Sequence, residues 1–239
     1  LHRRSLVTLA FAAAACEDFP RDSRGTLRQV LGGQRPLRVG WSRADPWVTG
    51  TDEAGPGGLE PALVRRWADS SGATIQWIAA GEAQLVEGLQ RHALDLAVAG
   101  MTDDAPWGSR IGQTQPYLEM ELVVGVRRAV AVPPDWDGIE ISHDRRRPEV
   151  AAAIRALGAV PVPAEPGAPG PLAAAWGAEL EALGLQPSGK RLQQTRRVLA
   201  TAPAESALTF ALDRFLLPRQ GEIRAMLAAQ AGRDAAGMA

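Results

Sequence analysis

The chain predicts an α/β fold built on a parallel sheet, and three observations predict it. Residues 94–99, LDLAVA, form a short, largely apolar run of the kind found in the middle of a parallel sheet. A second run, LRVG at 37–40, has the same character, and both stop at a glycine, Gly40 and Gly100, followed by a polar loop. Between them lie a helical pattern, a β-rich stretch and a second helical pattern. This order of β, α, β, α, β with short connections makes a right-handed parallel sheet, and both polar loops then leave its carboxyl edge on one side.

The elements follow in order. His2, Arg3 and Arg4 precede an apolar or small run from Leu6 to Ala15, which is too short to span a bilayer and has the form of an export signal over residues 1–15. Cys16, the one cysteine of the chain, stands where lipidation would occur, and cleavage without lipidation stays open. Residues 16–35 mix charge, Pro and Gly and read as a tether. After the strand at 37–40, the loop WSRADPWVTGTDEAGPGG carries Trp41, Arg43, Asp45 and Trp47. Leu59, Ala62, Leu63, Trp67 and Ala68 then share one helical face, with Pro61 in the first turn and Gly72 as the stop. Residues 74–78 read as a strand, 82–92 as an amphipathic helix, and the run at 94–99 leads into the loop holding Gly100, Met101, Thr102, Asp103, Asp104, Trp107 and Arg110.

The 239 residues, 46% hydrophobic and 22% charged with a net charge of −1, describe an ordinary globular protein and give no sign of nucleic-acid binding. Arg145, Arg146 and Arg147 form the one basic cluster, and Pro148 and Glu149 after it suggest a solvated helix approach. No P-loop, GxGxxG, GxSxG or metal-ligand spacing is present, so no cofactor, no metal and no enzyme activity are expected.

LRVG, the Pro46-Trp47 pair, GLEPALVRRWADSSGATIQW, LDLAVAGMT and QPY followed by LVVGV together resemble the solute-binding proteins of family 3, extracytoplasmic receptors that deliver amino acids and related solutes to ABC importers. The resemblance implies a periplasmic-binding-protein type II fold, two lobes joined by two crossing strands and closing on a ligand. It implies lobe 1 at 36–121, a first crossing strand at 122–126, a shortened lobe 2 at 127–197, a return crossing at 198–202 and C-terminal helices at 203–239 packed on lobe 1. Within lobe 2, residues 138–142 and 160–162 are expected as strands, 148–157 as a helix and 171–185 as an Ala-rich helix. A periplasmic, lipid-anchored monomer that serves an ABC permease is the expectation. A sensory or scaffold lipoprotein is the alternative, and a dehydratase-like enzyme using Asp104 or Glu119 is a third.

The resemblance also implies a site. Gly100, Met101 and Thr102 match the turn that binds the solute's polar end, and Trp41 and Trp47 stand where aromatics sandwich the solute. The family's carboxylate-binding Arg falls on Trp107, with Arg110 three residues later. Asp103 and Asp104 beside Trp107 then suggest an acidic and aromatic edge suited to a cation or amine; both aspartates could instead cap a helical turn. Glu205 is expected to act on the helix it opens, and Tyr117 as hinge packing.

Overall fold

The computed structural model of the protein describes residues 22–236; the expected signal peptide at 1–15 and Cys16 lie outside them. Residues 22–35 belong to the fold, which corrects that part of the tether expected at 16–35; residues 16–21 lie outside the described residues. Helix α1 (Thr26–Leu31) buries Thr26 and Val30. The buried Glu205 carboxylate accepts hydrogen bonds from Ser23 Oγ at 3.0 Å, Arg24 N–H at 2.9 Å and Thr26 N–H at 3.2 Å. Linker-like composition is overridden here by a clasp that reaches across the whole chain, which no local pattern displays.

Strand β1 (Leu37–Trp41) is followed by a small hairpin of β2 (Thr49–Thr51) and β3 (Gly55–Gly57) inside the stretch expected as loop. Helix α2 (Leu59–Ser71) turns its apolar face inward through Leu59, Leu63, Val64 and Trp67 and ends at Gly72, whose φ of 71° a Cβ would oppose. Then come β4 (Ile75–Ala79), α3 (Glu82–Gln90), β5 (Leu96–Val98) and β6 (Gly112–Gln113). β1 pairs in parallel with β4 and β5, as the sequence order requires. The right-handed crossovers place α2 and α3 on opposite faces, so two apolar clusters sandwich this sheet.

The second lobe is built on β7 (Leu118–Arg127), β8 (Glu140–Asp144), α4 (Pro148–Ala156), β9 (Val160–Ala164), β10 (Leu172–Trp176) and β11 (Leu185–Arg197), in the sheet order β11-β7-β10-β8-β9. α4 is its one α-helix among the described residues. The helix expected at 171–185 is instead β10 followed by a short 3-10 turn. Alanine favours helix locally, but Gly170 and Pro171 before the run and Gly177 after it leave only five residues. Those five bond to β7 on one side and β8 on the other.

The crossing strands also fall elsewhere than expected. β7 starts at Leu118 rather than 122; Leu118 packs in the first lobe's core and Leu122 in the second's. The return is β11, which pairs antiparallel with β7 from Gln193 opposite Leu122 to Arg197 opposite Leu118. Residues 198–202, expected as the return crossing, are already in the first lobe, where β12 (Ala200–Thr201) pairs antiparallel with β5 and β6. β11 escaped notice because QPSGKRLQQTRR is an exposed edge strand without an apolar run. Helices α5 (Ser206–Leu216) and α6 (Gln220–Ala236) complete the first lobe, with Leu208, Leu212, Leu216 and Ile223 in its core.

The amino edge of the first sheet is pinned by Asp95. Its buried carboxylate receives Arg35 Nη1 at 2.6 Å, Arg38 Nη2 at 2.7 Å and the Arg38 backbone N–H at 2.9 Å. Burial pushes its pKa up, but the hydrogen bonds from Arg38 and Arg35 outweigh burial and leave it below the ordinary carboxylate value.

Candidate functional site

Both sheets turn their carboxyl edges toward the crossing strands. In the first lobe, β5 ends at Val98 and the chain continues to Thr102, which bridges to Arg197 at the base of the crossing pair. In the second, β10 runs back along β7 until Trp176 lies opposite Leu122, and β8 is parallel to β10. Asp144 to Arg147, Trp176 and Glu179 therefore edge the second lobe on the side facing Trp47 and Gly100. Ligands of α/β sheets bind at such edges.

The first lobe's part of this region is organised around Glu60. Gly58, at φ 88°, brings the chain so close that a Cβ would lie 2.7 Å from the Trp47 carbonyl oxygen, and Glu60 N–H donates to that oxygen at 3.0 Å. The Glu60 side chain is fully buried; it accepts from Tyr117 OH at 2.6 Å and from Gly100 N–H at 3.0 Å. Burial pushes the Glu60 carboxyl above its ordinary value despite these donors and nearby Arg197, and burial together with Glu60 pushes the Tyr117 hydroxyl well above its own. Glu60 thus holds the Gly100 turn and the start of the crossing strand in one hydrogen-bonded unit.

Arg197 closes this unit from the return strand. Its guanidinium lies 4.4 Å from the Trp47 ring centre and donates to the Gly100 carbonyl oxygen. Burial lowers its pKa, opposed by Tyr117, Glu60 and Asp104. The neighbouring backbone zips the loop to the strand: Val198 N–H donates to Met101 O at 3.1 Å and Asp103 N–H to Arg196 O at 3.1 Å. Arg196 spans Asp103 at 3.1 Å and Glu119 at 3.4 Å.

The sequence-predicted residues divide into two groups. Trp47, Gly100 and Thr102 come together with Arg197, and Asp104 stands exposed beside them. Trp41 and Met101 are buried, each 4% exposed, in the apolar clusters on the two faces of the sheet. Trp107 is corrected as a pocket edge: it packs with Leu85, Val86 and Ile111, and its indole N–H donates to Glu82 Oε1 at 3.0 Å. It lines, with Arg110, a separate surface groove of about 680 Å³ along α3 that includes Glu82, Glu87 and Arg91. Asp103 is engaged by Arg196 and makes no cap, so the acidic and aromatic edge expected from Asp103, Asp104 and Trp107 does not form. Arg43 pairs with Asp45 at 2.9 Å. No group of three His, Cys, Asp or Glu side chains among the described residues is placed to hold a metal ion.

Sequence reasoning passed over Glu60, Arg197 and the second-lobe edge at 144–147. A signal existed for Glu60, an acidic residue next to Leu59 on an otherwise apolar helical face. None existed for Arg197, which lies 97 positions from Gly100. At the second-lobe edge Arg146 pairs with Asp144 at 2.7 Å and Arg147 with Glu179 at 2.8 Å. The Glu179 hydrogen bond raises the Arg147 pKa, while Asp144, pushed up by burial, is brought below its ordinary value by Arg146.

No curated protein matches the chain. Among solved structures, an ancestral cationic amino-acid solute-binding protein is 15% identical with a TM-score of 0.60, covering 86% of this chain and 99% of its own. The L-cystine solute receptor of Neisseria gonorrhoeae, in its unliganded open conformation, is 12% identical with a TM-score of 0.60, over 83% of this chain and 92% of that one. The VFT2 domain of Bordetella pertussis BvgS, a double mutant, is 16% identical with a TM-score of 0.55, over 89% and 100%. These likenesses establish a shared two-lobed fold. A sequence profile matches residues 37–223, from the first strand of the sheet to the start of the last helix, and by that match the chain belongs to the bacterial extracellular solute-binding proteins, family 3.

Proposed function

We propose that the protein captures a small polar solute between its two lobes outside the cytoplasm and presents the closed form to an ABC permease. The observation that carries this reading is the facing of the two carboxyl edges across a paired β7–β11 ribbon, with the Gly100 turn fixed by Glu60. A ligand touching both edges favours the closed arrangement by its differential affinity for it. Several proteins of similar fold bind amino acids, among them a lysine-bound transporter component from Wolinella succinogenes, and an amino acid or related compound is the class to test first. A thermal-shift screen over amino acids, polyamines, carboxylates and sugars should give a hit that raises the melting temperature by mass action. Small-angle scattering should then show a smaller radius of gyration with the hit; a melting shift without compaction would overturn capture between lobes.

A second lobe with α4 as its one α-helix among the described residues favours a second reading, a receptor that signals rather than transports. Deletion of a neighbouring permease gene separates the two, since loss of uptake of the hit belongs to transport alone. Membrane attachment through acylated Cys16 belongs to both readings. Labelled palmitate should enter the wild type and not Cys16→Ser; a wild type that takes up none would remove the anchor.

A further inference from the structure

We infer that Arg197 is the specificity-determining residue of the cleft: its guanidinium fills from within the cation position made by the Trp47 face and the Gly100 carbonyl, so the solute selected carries an oxyanion group rather than an amine. The inference rests on the solute-binding reading and names the chemical class of that solute.

An aromatic face with a carbonyl acceptor beside it is a place to hold a cation. Here both are engaged by one side chain, 4.4 Å above the Trp47 ring and bonded to Gly100 O. A second cation brought to the same spot would meet the fixed positive charge of Arg197. The guanidinium also remains under-used. It has five N–H donors in a planar fork, and the Gly100 carbonyl is its one protein acceptor among the described residues. Its Nε is buried without a hydrogen-bond partner. No carboxylate of the described residues lies within ion-pairing distance, although Glu60 and Asp104 are near enough to act on its charge. Its neighbour Arg196 has Asp103 and Glu119, and Arg146 and Arg147 across the cleft have Asp144 and Glu179. Arg197 is thus the cleft guanidinium whose carboxylate the protein does not provide. A carboxylate offers two oxygens at the spacing of a guanidinium fork and could take up N–H groups that the protein leaves unbonded.

The position also fits selection. Arg197 is the last residue of β11, at the foot of the ribbon and bridged to Thr102. It pairs with Leu118 just before Leu122, where the second lobe's core begins, so it stands at the junction of the two lobes.

Isothermal titration of the full chain with acetate, succinate, L-malate, benzoate and phosphate, against putrescine, ethanolamine and choline, tests the inference. The wild type should bind at least one anion and none of the amines. Arg197→Gln should weaken that anion by at least about tenfold, the scale of a charge-assisted bond, and Arg197→Lys by less. An amine bound by the wild type, or an anion bound equally well by Arg197→Gln, overturns the inference and leaves solute capture standing. Amine binding gained in Arg197→Gln supports the filled cation position. Should Arg197→Gln not fold, the wild-type panel decides alone, anion over amine for the inference and amine over anion against it. If neither these compounds nor the wider screen gives any bound solute, the inference falls together with the proposed function.

Discussion

Asp95→Asn should lower stability at pH 7 by about 3 kcal/mol. The variant keeps the shape of the side chain but leaves Arg35 and Arg38 facing a neutral amide where a carboxylate had bound both. Breaking a buried pair by removing one partner has a typical effect of about 3–5 kcal/mol, and the lower end applies because both arginines reach solvent. The Asp95 side chain is 2% exposed, the arginines 25% and 30%. For a protein of this length the loss corresponds to a fall in Tm of roughly 6–12 °C. The exposed Arg66–Glu222 pair supplies the contrast, and Arg66→Ala should change stability by under about 0.5 kcal/mol. The pH dependence has a definite sign. The folded Asp95 has a pKa below its ordinary 3.8, so its contribution is present above that value and disappears as the pH falls through the folded pKa. Urea unfolding of wild type and variant should therefore diverge most above about pH 4 and converge in stronger acid; an equal gap at all pH values would show that packing, not charge, carries Asp95.

Gly100→Ala should be as damaging, by another route, and should also disable the cleft. A Cβ at position 100 would lie 2.6 Å from Trp47 Cδ1 and 3.0 Å from Cγ. The ring is 6% exposed and held between the core and Arg197, so it has little room to retreat. Overpacking of this kind amounts to about 1–3 kcal/mol, and the φ of 62° adds roughly 1–2 kcal/mol for any residue with a Cβ. Gly33→Ala isolates the second part: φ there is 67°, but nothing lies within 4 Å of the added carbon. The difference between the two variants in urea unfolding measures the overlap with Trp47. Near-ultraviolet circular dichroism should change in Gly100→Ala and not in Gly33→Ala. Matching losses in the two variants would mean that Trp47 yields freely.

The first sheet was legible in the sequence because its signals are local. LRVG and LDLAVA are apolar runs closed by glycines, Leu59, Leu63 and Trp67 mark one helix face, and Gly72 stops it. The second lobe was legible only in part. LAAAW carries a helical propensity that two flanking strands overrule, and β11 lacks an apolar run because it is an edge strand exposed along much of its length. The site divides in the same way. The Gly100 turn announces itself, whereas the partners that fix it, Glu60, Tyr117 and Arg197, meet only after three separate segments have folded. Trp107 misleads for a related reason: counting positions along a loop locates its Cα but not the direction of its ring, and Glu82 with the α3 packing decides that direction.

The Glu205 clasp has a bearing on how the molecule meets a surface. β12 runs opposite to β5, so Glu205 just beyond it sits at the amino edge of the first sheet, the pole farthest from the solute edge. Asp22 bridges to Glu205 at that same pole. Any attachment made through the chain before Asp22 therefore pulls on the back of the first lobe. An attachment there would leave the solute edge, at the opposite end of the first sheet, turned away from the support.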